Sequence, residues 1–333
     1  MSEPRFDVIG VGNAIVDVLS PVEEAFLEAH GIAKGGMTLI EQDQAETLYD
    51  RFSGEKTEKA GGSTANTIAG LASLGLDGAF IGKTADDALG ESFGASLRDL
   101  GVHYETRPLS GGPSTARCLI AVTPDGERSM STFLGASVEF GEDDVDEDLI
   151  AKSKIVMLEG YLFDKEEAKR AFVKAAEAAQ ANRRSVALSL SDTFCVERHR
   201  ASFRHLVNNH VDILFANEAE ICALYETDDF DSAAAKVRQD CRLAALTRSE
   251  KGALIVSGDA AHRIEARPVD KVMDVTGAGD LYASGFLAAY ARGLALPECG
   301  QLGAIAAAEV ISHYGARPET PLDRLAAEAG IRL

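Results

Sequence analysis

The sequence predicts an α/β fold in which helices cover both faces of a central, mostly parallel sheet that carries a small β-rich lid. From about residue 145 onward, apolar strand segments alternate with helical segments, a pattern typical of parallel sheets because each crossover needs a helix. Between 102 and 135, short β-rich pieces are joined by turn clusters such as PDGE, which indicates the lid. The 333 residues contain no internal repeat or long linker. We therefore interpret 1–333 as one domain whose lid is formed by segments near 13–40 and 102–135.

The N-terminal part is predicted to open with a buried strand, because the run FDVIGVGNAIVD at 6–17 contains the apolar segment VIGV. The run GGSTANTIAGLASLG, 61–75, begins with a flexible glycine pair and continues as a helix of small residues. The other elements predicted in this part are helices at 22–30, 42–52 and near 88–100, a short strand at 79–82, and β-rich pieces VHYETRP, STARCLIAVTP and RSMSTFL in the lid.

The C-terminal part is predicted to alternate regularly between strands and helices. The predicted strands are KIVMLEG, SVALSLS, DILFAN and LAALTRS, followed by the β segment ALIVSGDAAHRIEA. The predicted helices are 164–182, near 197–208, 217–225, near 278–292 and near 298–313. Helices of this length between strands favour a sheet that is covered on both faces.

Composition excludes several classes of protein. The formal net charge is -20, so phosphate backbones and anionic lipids repel the chain, and neither nucleic acid nor a membrane is an expected partner. The N-terminus lacks a basic region followed by an apolar run, and no stretch of about 18 apolar residues exists. Five scattered cysteines without CxxC spacing favour a reduced, cytoplasmic location. Small molecules are the expected partners, with a monomer and a homodimer both left open.

Two glycine-containing segments resemble nucleotide-binding motifs but do not match them. Gly10 and Gly12 begin like the dinucleotide-binding pattern GxGxxG, but no glycine occupies the third position. The residues GKT at 82–84 resemble the end of a P-loop, yet only three residues separate Gly78 from Gly82, where that motif needs four. The histidines and cysteines also show no zinc-ligand spacing.

The segment DVTGAGD, 274–280, is the most informative one for chemistry. Gly277, Ala278 and Gly279 carry little or no side chain and directly precede a helical run. Such a turn directs backbone N–H groups and a helix N-terminus at one point, which creates an anion hole. Asp280 lies in the first helical turn, where it can orient an alcohol and accept its proton. An anion hole beside a carboxylate is what phosphoryl transfer to a hydroxyl requires.

At this segment the chain resembles the ribokinase-like (PfkB) family of carbohydrate and nucleoside kinases, whose C-terminal signature is D-x-x-G-A-G-D. The resemblance extends to GGSTAN at 61–66, similar to the family's glycine pair followed by Asn, and to NEAE at 217–220, which matches N-x-x-E. It covers essentially the whole length, in the family's motif order. Within that family the chain resembles the adenosine kinase-like members. The implied fold is ribokinase-like, and the implied activity is that of an ATP-dependent kinase.

The resemblance assigns roles to several of these residues. It implies that Asp280 is the catalytic base and that Gly277, Ala278 and Gly279 form the anion hole. Asn217 and Glu220 are similar to the pair that positions Mg²⁺, mostly through its water shell, with Asn217 also beside the nucleotide. An alternative interpretation of NEAE is a helix start capped by Asn217, and both interpretations can hold together.

The ATP segment of the family usually has the form T-x-G-x-x-G after a strand. The run TRSEKG keeps Thr247 and Gly252 but has Ser249 in place of the first glycine, a departure from the family pattern at the loop that contacts phosphate. Asp274 and Thr276 resemble positions that bind a monovalent cation such as K⁺ in some members. The run GARPE, 315–319, is similar to the other wall of that site.

Substrate-binding candidates follow the first strand. An amide and a carboxylate at Asn13 and Asp17 suit two adjacent hydroxyl groups of a sugar, and the resemblance implies that Asp17 binds the sugar. Gly61 and Gly62 are expected to supply a hinge, and Asn66 a further hydroxyl contact. The alternative for Asn13 and Asp17 is an ordinary turn after the strand.

Two further residues have both a functional and a structural interpretation. Arg128, in the run DGERSM, matches an Arg near the transferred phosphate in adenosine kinase-like members, or is simply a charge at the end of a strand. Glu159 ends the strand KIVMLEG, where it faces the substrate crevice or caps the next helix.

The sequence thus predicts a kinase that uses Mg²⁺ and ATP to phosphorylate the 5′-hydroxyl of adenosine or a related nucleoside. A sugar kinase acting on ribose, fructose or a keto-sugar acid is the alternative within the class. A nucleotide-binding sensor without catalysis is the alternative outside it, and the intact residues Asp280, Asn217 and Glu220 argue against a sensor. Candidate walls of a base pocket are Phe133, Leu134, Tyr161 and Phe163.

Overall fold

The computed structural model describes residues 4–52 and 56–333, except for the side chain of Asp164. Its thirteen strands in the described ranges are β1 Phe6–Val11, β2 Ile15–Pro21, β3 Met37–Leu39, β4 Thr57–Gly61, β5 Gly78–Ile81, β6 Ala116–Val122, β7 Arg128–Phe133, β8 Ser153–Glu159, β9 Ser185–Ser189, β10 Ile213–Asn217, β11 Leu243–Thr247, β12 Ala253–Ser257 and β13 Ala260–Ile264. Its α-helices in the same ranges are α1 Glu24–His30, α2 Gln42–Arg51, α3 Ser63–Ser73, α4 Ala88–Asp99, α5 Glu147–Ala151, α6 Glu166–Ala181, α7 Thr193–Asn209, α8 Glu218–Tyr225, α9 Phe230–Asp240, α10 Ala278–Ala291, α11 Leu296–Val310 and α12 Leu322–Glu328.

The larger sheet has eight strands in the order β13-β12-β11-β10-β9-β8-β1-β5. Strands β5, β1, β8, β9, β10 and β11 are parallel, whereas β12 and β13 form an antiparallel extension at one edge. All six residues of β1 are buried, as expected for a strand in a sheet that is covered on both faces. The predicted fold class is therefore confirmed.

Helices cover both faces of this sheet with separate apolar cores. On one face, α3, α10 and α11 contribute Ile68, Leu281 and Leu302. On the other, α6 and α7 contribute Phe172 and Phe203. Because the two cores clamp the strands from both sides, the carboxyl ends of the parallel strands form a rigid edge on which side chains can be placed.

The smaller sheet has five strands in the order β3-β7-β6-β2-β4. Buried and partly exposed residues alternate along β2. Val16 and Val18 pack in the core with Leu48 of α2, so Ile15 and Asp17 point to the opposite face, where both line a cavity. This alternation follows from the two-residue period of a strand.

Three details differ from the sequence prediction. The run 6–17 is not one strand, because the chain leaves the larger sheet after Val11 and enters the smaller one at Ile15. The run VHYETRP does not form a strand and makes a single β-bridge, between His103 and Ala79. Helices α5, α9 and α12 and strands β3 and β4 lie in segments to which no helix or strand was assigned. No helix among the described residues has the length and apolar character needed to cross a membrane.

Candidate active site

A cavity of about 540 Å³ lies between the carboxyl edge of the larger sheet and one face of the smaller sheet. The ends of β8, β9, β10 and β11 reach it from the larger sheet, and β2, β3, β6 and β7 reach it from the smaller one. The predicted site residues that line it are Asn13, Asp17, Gly62, Asn66, Glu159, Asn217, Glu220, Thr247, Thr276, Gly277, Ala278, Gly279 and Asp280. Most of the predicted site therefore converges at one place, as expected for ligand binding in an open α/β sheet.

The segment 277–280 forms the N-terminus of helix α10. Gly277 adopts a φ of 80° as the N-cap, in the left-handed region that suits glycine. The first N–H groups of a helix have no partner within the helix. The N–H of Ala278 donates to the carbonyl of Val275 at 3.2 Å. Gly277, Gly279 and Asp280 also line the cavity, so this end of the helix suits an anion.

The Asp280 carboxylate is held by the first turn of α3. Ser63 Oγ donates a hydrogen bond to Asp280 Oδ1 at 2.6 Å, and Asn66 Nδ2 donates to Asp280 Oδ2 at 3.1 Å. Thr67 Oγ1 also donates to the backbone carbonyl of Asp280 at 3.1 Å. Loss of hydration raises the pKa of Asp280, and the bonds from Ser63 and Asn66 partly oppose that rise. Each carboxylate oxygen thus has a fixed orientation.

Asn13 and Glu159 form one hydrogen-bonded unit at the bottom of the cavity. Glu159 Oε1 accepts hydrogen bonds from the backbone N–H of Asn13 at 3.3 Å and from Asn13 Nδ2 at 3.0 Å. Its other oxygen, Oε2, accepts from the backbone N–H of Thr64 at 2.8 Å. Burial raises the pKa of Glu159 to about 7, although these three hydrogen bonds oppose the shift.

Acceptors for hydroxyl groups lie next to Asp280. The side-chain oxygens of Asn13 and Asn66 are buried and have no hydrogen-bond partner among the described residues. Burial raises the pKa of Asp17 to about 6, while the charges of Arg128 and Arg317 act in the opposite direction. Since buried polar atoms usually find a partner, Asn13 and Asn66 each retain an acceptor for a ligand.

Asn217 and Glu220 cap helix α8 reciprocally. Asn217 Oδ1 accepts from the backbone N–H of Glu220 at 2.8 Å, and Glu220 Oε2 accepts from the backbone N–H of Asn217 at 2.9 Å. Asn217 Nδ2 also donates to Glu220 Oε1 at 2.6 Å. Burial raises the pKa of Glu220 to about 7, and the charges of Asp192 and Asp280 add to the rise. The helix-cap interpretation of this motif is therefore confirmed, and both residues also line the cavity.

The oxygen atoms near Glu220 are of the type that Mg²⁺ prefers as ligands. Oxygen ligands predominate, and Mg²⁺ usually binds through one or two carboxylates together with water and substrate phosphates. Within the described ranges, no three His, Cys, Asp or Glu side chains are grouped so that they could hold a metal ion by themselves. The carboxylate of Glu220, in the same cavity as the anion hole, suits a metal ion that arrives with its nucleotide.

Arg128 and Asp274 lie outside the lining of the cavity and bind each other. Arg128 Nη1 donates to Asp274 Oδ2. Asp274 Oδ1 accepts from the backbone N–H and hydroxyl of Thr276 at 2.9 and 2.6 Å, and Oδ2 accepts from the backbone N–H of Gly315 at 3.0 Å. Burial raises the pKa of Asp274, but these hydrogen bonds and the charge of Arg128 outweigh it and lower the pKa below its ordinary value.

The predicted nucleotide loop is divided between two depressions. Thr247 lines the main cavity at the end of β11. Ser249 lies in a short 3₁₀ turn with a positive φ of 51° and lines a neighbouring groove, which shares Asn217 and Thr247 with the cavity. Gly252 ends that turn, and like Gly61 it lies outside the lining of the cavity.

Sequence reasoning missed several lining residues and misplaced two. Phe133 and Phe163 are not cavity walls, because both are buried in the apolar cores; Leu134 and Tyr161 do line the cavity. The lining residues that were missed are Ile15, Met37, Leu39, Ser63, Cys118, Met130, Thr132, Ser189, Ser191, Asp192, Arg198, Phe215, Ala216, Ala245, Val275 and Tyr282. For Ser63 a signal existed in its position directly after the glycine pair, whereas Met37 and Leu39 carried none.

Comparisons with known proteins identify relatives of this chain. The family model "pfkB family carbohydrate kinase" matches residues 37–323. Adenosine kinase 1 from Arabidopsis thaliana is 26% identical over 347 residues, which is 96% of this chain and 99% of that protein. The crystal structure of adenosine kinase from Sinorhizobium meliloti is 50% identical, with a TM-score of 0.90, and covers 98% of this chain and 99% of that one.

A second solved structure carries a different description. The crystal structure of a probable sugar kinase protein from Rhizobium etli CFN 42 is 47% identical, with a TM-score of 0.91, and covers 98% of this chain and 99% of that one. Both descriptions name kinases, as the motifs predicted. The fold, the motifs and the match over most of the chain establish that the protein is a kinase that belongs to the pfkB carbohydrate kinase family.

Proposed function

We propose that this kinase transfers the γ-phosphoryl group of ATP to the 5′-hydroxyl of adenosine, which yields AMP and ADP. One observation carries the choice of a nucleoside over a free sugar. The cavity joins a polar floor, suited to a ribose, to an apolar wall on the smaller sheet. A nucleoside has a polar ribose and an apolar base face, whereas a free sugar has only the polar part.

The apolar wall includes side chains that are unusually exposed to solvent. Met37 and Leu39, on the edge strand β3, are 51% and 48% exposed, and they line the cavity with Ile15, Met130 and Leu134. Covering about 100 Å² of such surface with a purine contributes about 2–3 kcal/mol. That free energy corresponds to a preference of about thirtyfold to about 150-fold over an acceptor without a base.

The polar floor suits the ribose. The carboxylate of Asp17 and the unpartnered amide oxygens of Asn13 and Asn66 supply acceptors for hydroxyl groups. Asp280 lies beside them, because Asn66 donates a hydrogen bond to its carboxylate. A sugar held at this floor presents its primary hydroxyl to the Asp280 carboxylate, which orients it and accepts its proton.

The phosphates of ATP are proposed to lie at the N-terminus of α10. There the backbone N–H groups of Gly277, Gly279 and Asp280 take up the charge of the transferred group. Thr247, Ser249 and Gly252 border the nucleotide on the opposite side. Asn217 and Glu220 would hold Mg²⁺ through its water shell, and the ion would supply positive charge for the phosphate oxygens when bound.

The smaller sheet is proposed to act as a lid that shields the acceptor from water, with Gly61 and Gly62 as its hinge. Arg128 belongs to this lid and contributes to catalysis by bringing its charge to the loop before the anion hole. Asp274 and Thr276, with the GARPE turn, are proposed to accept a monovalent cation such as K⁺ close to that loop.

The test is kcat/KM for adenosine, guanosine, inosine, ribose, fructose and 2-keto-3-deoxygluconate, measured by ADP release with MgATP under one condition. Adenosine is expected to exceed every free sugar by at least about tenfold. A free sugar with the highest kcat/KM overturns the nucleoside assignment and favours the sugar-kinase alternative. Binding of ATP without ADP release for any acceptor favours a sensor. Variants M37S and L39S are expected to lower kcat/KM for adenosine and not for ribose.

A further inference from the structure

Helix α3 has an unusual N-terminus. Its N-cap residue is Gly62, and no side chain of the usual capping position accepts a hydrogen bond there. The acceptor comes instead from a distant strand, since the carboxylate of Glu159 at the end of β8 accepts from the backbone N–H of Thr64, the second residue of α3, at 2.8 Å. A carboxylate at this position satisfies an otherwise unpaired N–H group and interacts favourably with the helix dipole.

The same carboxylate is fully engaged by the protein. Glu159 is 1% exposed, and its other oxygen accepts two hydrogen bonds from Asn13. A Cβ atom at Gly12 would lie 2.3 Å from Glu159 Oε2, so the main chain passes directly over the carboxylate. These contacts fix Glu159 from three sides and leave little of it for an acceptor hydroxyl.

The first turn of α3 in turn holds Asp280. Ser63 and Asn66 each donate to one oxygen of the Asp280 carboxylate, and Thr67 donates to its backbone carbonyl. Thr64, which Glu159 caps, lies between Ser63 and Asn66 in the sequence. A shift or a loss of order in this turn therefore moves the carboxylate of Asp280 directly.

We infer that Glu159 is a positioning residue that caps α3 from β8 and thereby holds Asp280 in its reactive orientation. This inference rests on the proposed function only in that Asp280 acts as the base. It replaces the expectation that Glu159 contacts the acceptor. Loss of the cap is expected to lower kcat by about tenfold to a hundredfold, the effect of misplacing a reacting group by about 1 Å.

The experiment is a double-mutant cycle with E159Q, D280N and the double variant, each assayed for kcat and for the KM values of ATP and adenosine. E159Q is expected to lower kcat with both KM values within about threefold of wild type. In the D280N background, E159Q is expected to have almost no further effect on kcat, because the group that it positions is gone. Hydrogen exchange of peptides from 63–73 is expected to accelerate in E159Q.

A matched control is D7N, which removes another buried carboxylate from the opposite end of the same sheet. Asp7 is 4% exposed and accepts from the backbone N–H of Asp77 and from Lys154. D7N is expected to lower the melting temperature without changing kcat by more than about twofold. If E159Q does not fold, E159D keeps the charge and withdraws the carboxylate from Thr64, and it is expected to lower kcat by at least about threefold.

Three results overturn the inference: a wild-type kcat in a folded E159Q or E159D, a large rise in KM for adenosine alone, or kcat effects of E159Q and D280N that simply multiply. The second result makes Glu159 a ligand of the acceptor. A wild-type enzyme that is inactive on adenosine, or a fully active D280N, contradicts the proposed function instead. The two failures are therefore distinguishable in the same set of measurements.

Discussion

The guanidinium of Arg128 donates a hydrogen bond to the carboxylate of Asp274, which joins the first residue of β7 to the loop before the anion hole. The two side chains are 12% and 6% exposed. Asp274 also accepts from Thr276 and Gly315, so the carboxylate connects three segments. This ion pair links the smaller sheet to the loop that precedes α10, close to the anion hole.

Replacement of Arg128 by Gln is expected to loosen the link between the two sheets. A buried hydrogen-bonding group that is left without its partner lowers the free energy of unfolding by about 1–3 kcal/mol. In R128Q the buried charge of Asp274 remains without its cation. We expect faster hydrogen exchange in 116–133 of the ligand-free protein and a higher KM for adenosine. R332Q, at an exposed arginine, is the control and should behave like wild type. Unchanged exchange in R128Q would mean that other contacts hold the sheets together.

Replacement of Asp280 by Asn is expected to lower kcat by about 10²–10⁴, the range for loss of a general base. Asn is nearly isosteric and keeps an oxygen for the bond from Ser63. The KM values for adenosine and ATP should therefore change little. Steady-state kinetics check this, and a variant that retains more than about a tenth of the wild-type kcat is incompatible with Asp280 as the base.

The parts of the site that the sequence predicted are local. Gly277 to Asp280, Asn217 with Glu220, and Gly62 with Asn66 lie on short segments whose spacing can be recognised along the chain. The parallel order of the main sheet was predictable for the same reason, since each strand and the following helix form a local unit.

The remaining features depend on contacts between distant segments. Glu159 and Asn13 are 146 positions apart, as are Arg128 and Asp274, and no local pattern indicates that either pair meets. Exposed β3 is only three residues long, too short for alternation to reveal that Met37 and Leu39 face a cavity. The strand predicted in 102–108 failed because a β-rich composition needs a partner strand, and only His103 meets the edge of the sheet, at Ala79.

Glu220→Gln is expected to raise the Mg²⁺ concentration needed for half-maximal rate, because one negative charge leaves the proposed water shell of the ion. The fold should survive, since Gln can still accept one of the two hydrogen bonds that Asn217 donates to Glu220. A titration of rate against free Mg²⁺ at fixed total ATP tests this. An identical titration curve would leave Glu220 with a capping role alone.

Ligand binding is expected to protect 102–135 against hydrogen exchange if Gly61 and Gly62 form a hinge. Gly62 has a φ of 93°, and a Cβ atom there would lie 2.3 Å from the carbonyl oxygen of Asn13. G62A should therefore be strained and lower both stability and kcat. Equal exchange of wild type with and without adenosine and a non-hydrolysable ATP analogue would indicate a rigid β segment.

The ligand-free protein is expected to become less stable as the pH rises from about 5.5 to about 8, through the carboxylates of the cavity. The pKa values of Asp17, Glu159 and Glu220 are raised to about 6, about 7 and about 7 in the folded protein, chiefly by burial. The ordinary values are 3.8 for Asp and 4.5 for Glu. In the unfolded chain these groups are already ionised above about pH 5, whereas in the folded protein they still bind protons.

The folded protein therefore loses stability as the pH rises, because the state that binds more protons is favoured at low pH. For Glu220 the stabilising contribution is complete below its unfolded pKa of 4.5 and is lost as the pH rises through its folded value of about 7. Melting temperatures of wild type and E220Q measured at intervals across this range should therefore diverge. Between the lower and the upper end of this range, the free energy of unfolding of E220Q should rise relative to that of wild type by up to about 2 kcal/mol, at about 1.4 kcal/mol per pKa unit. Parallel curves for the two proteins would mean that the buried carboxylate of Glu220 is ionised throughout, already balanced by its hydrogen bonds with Asn217.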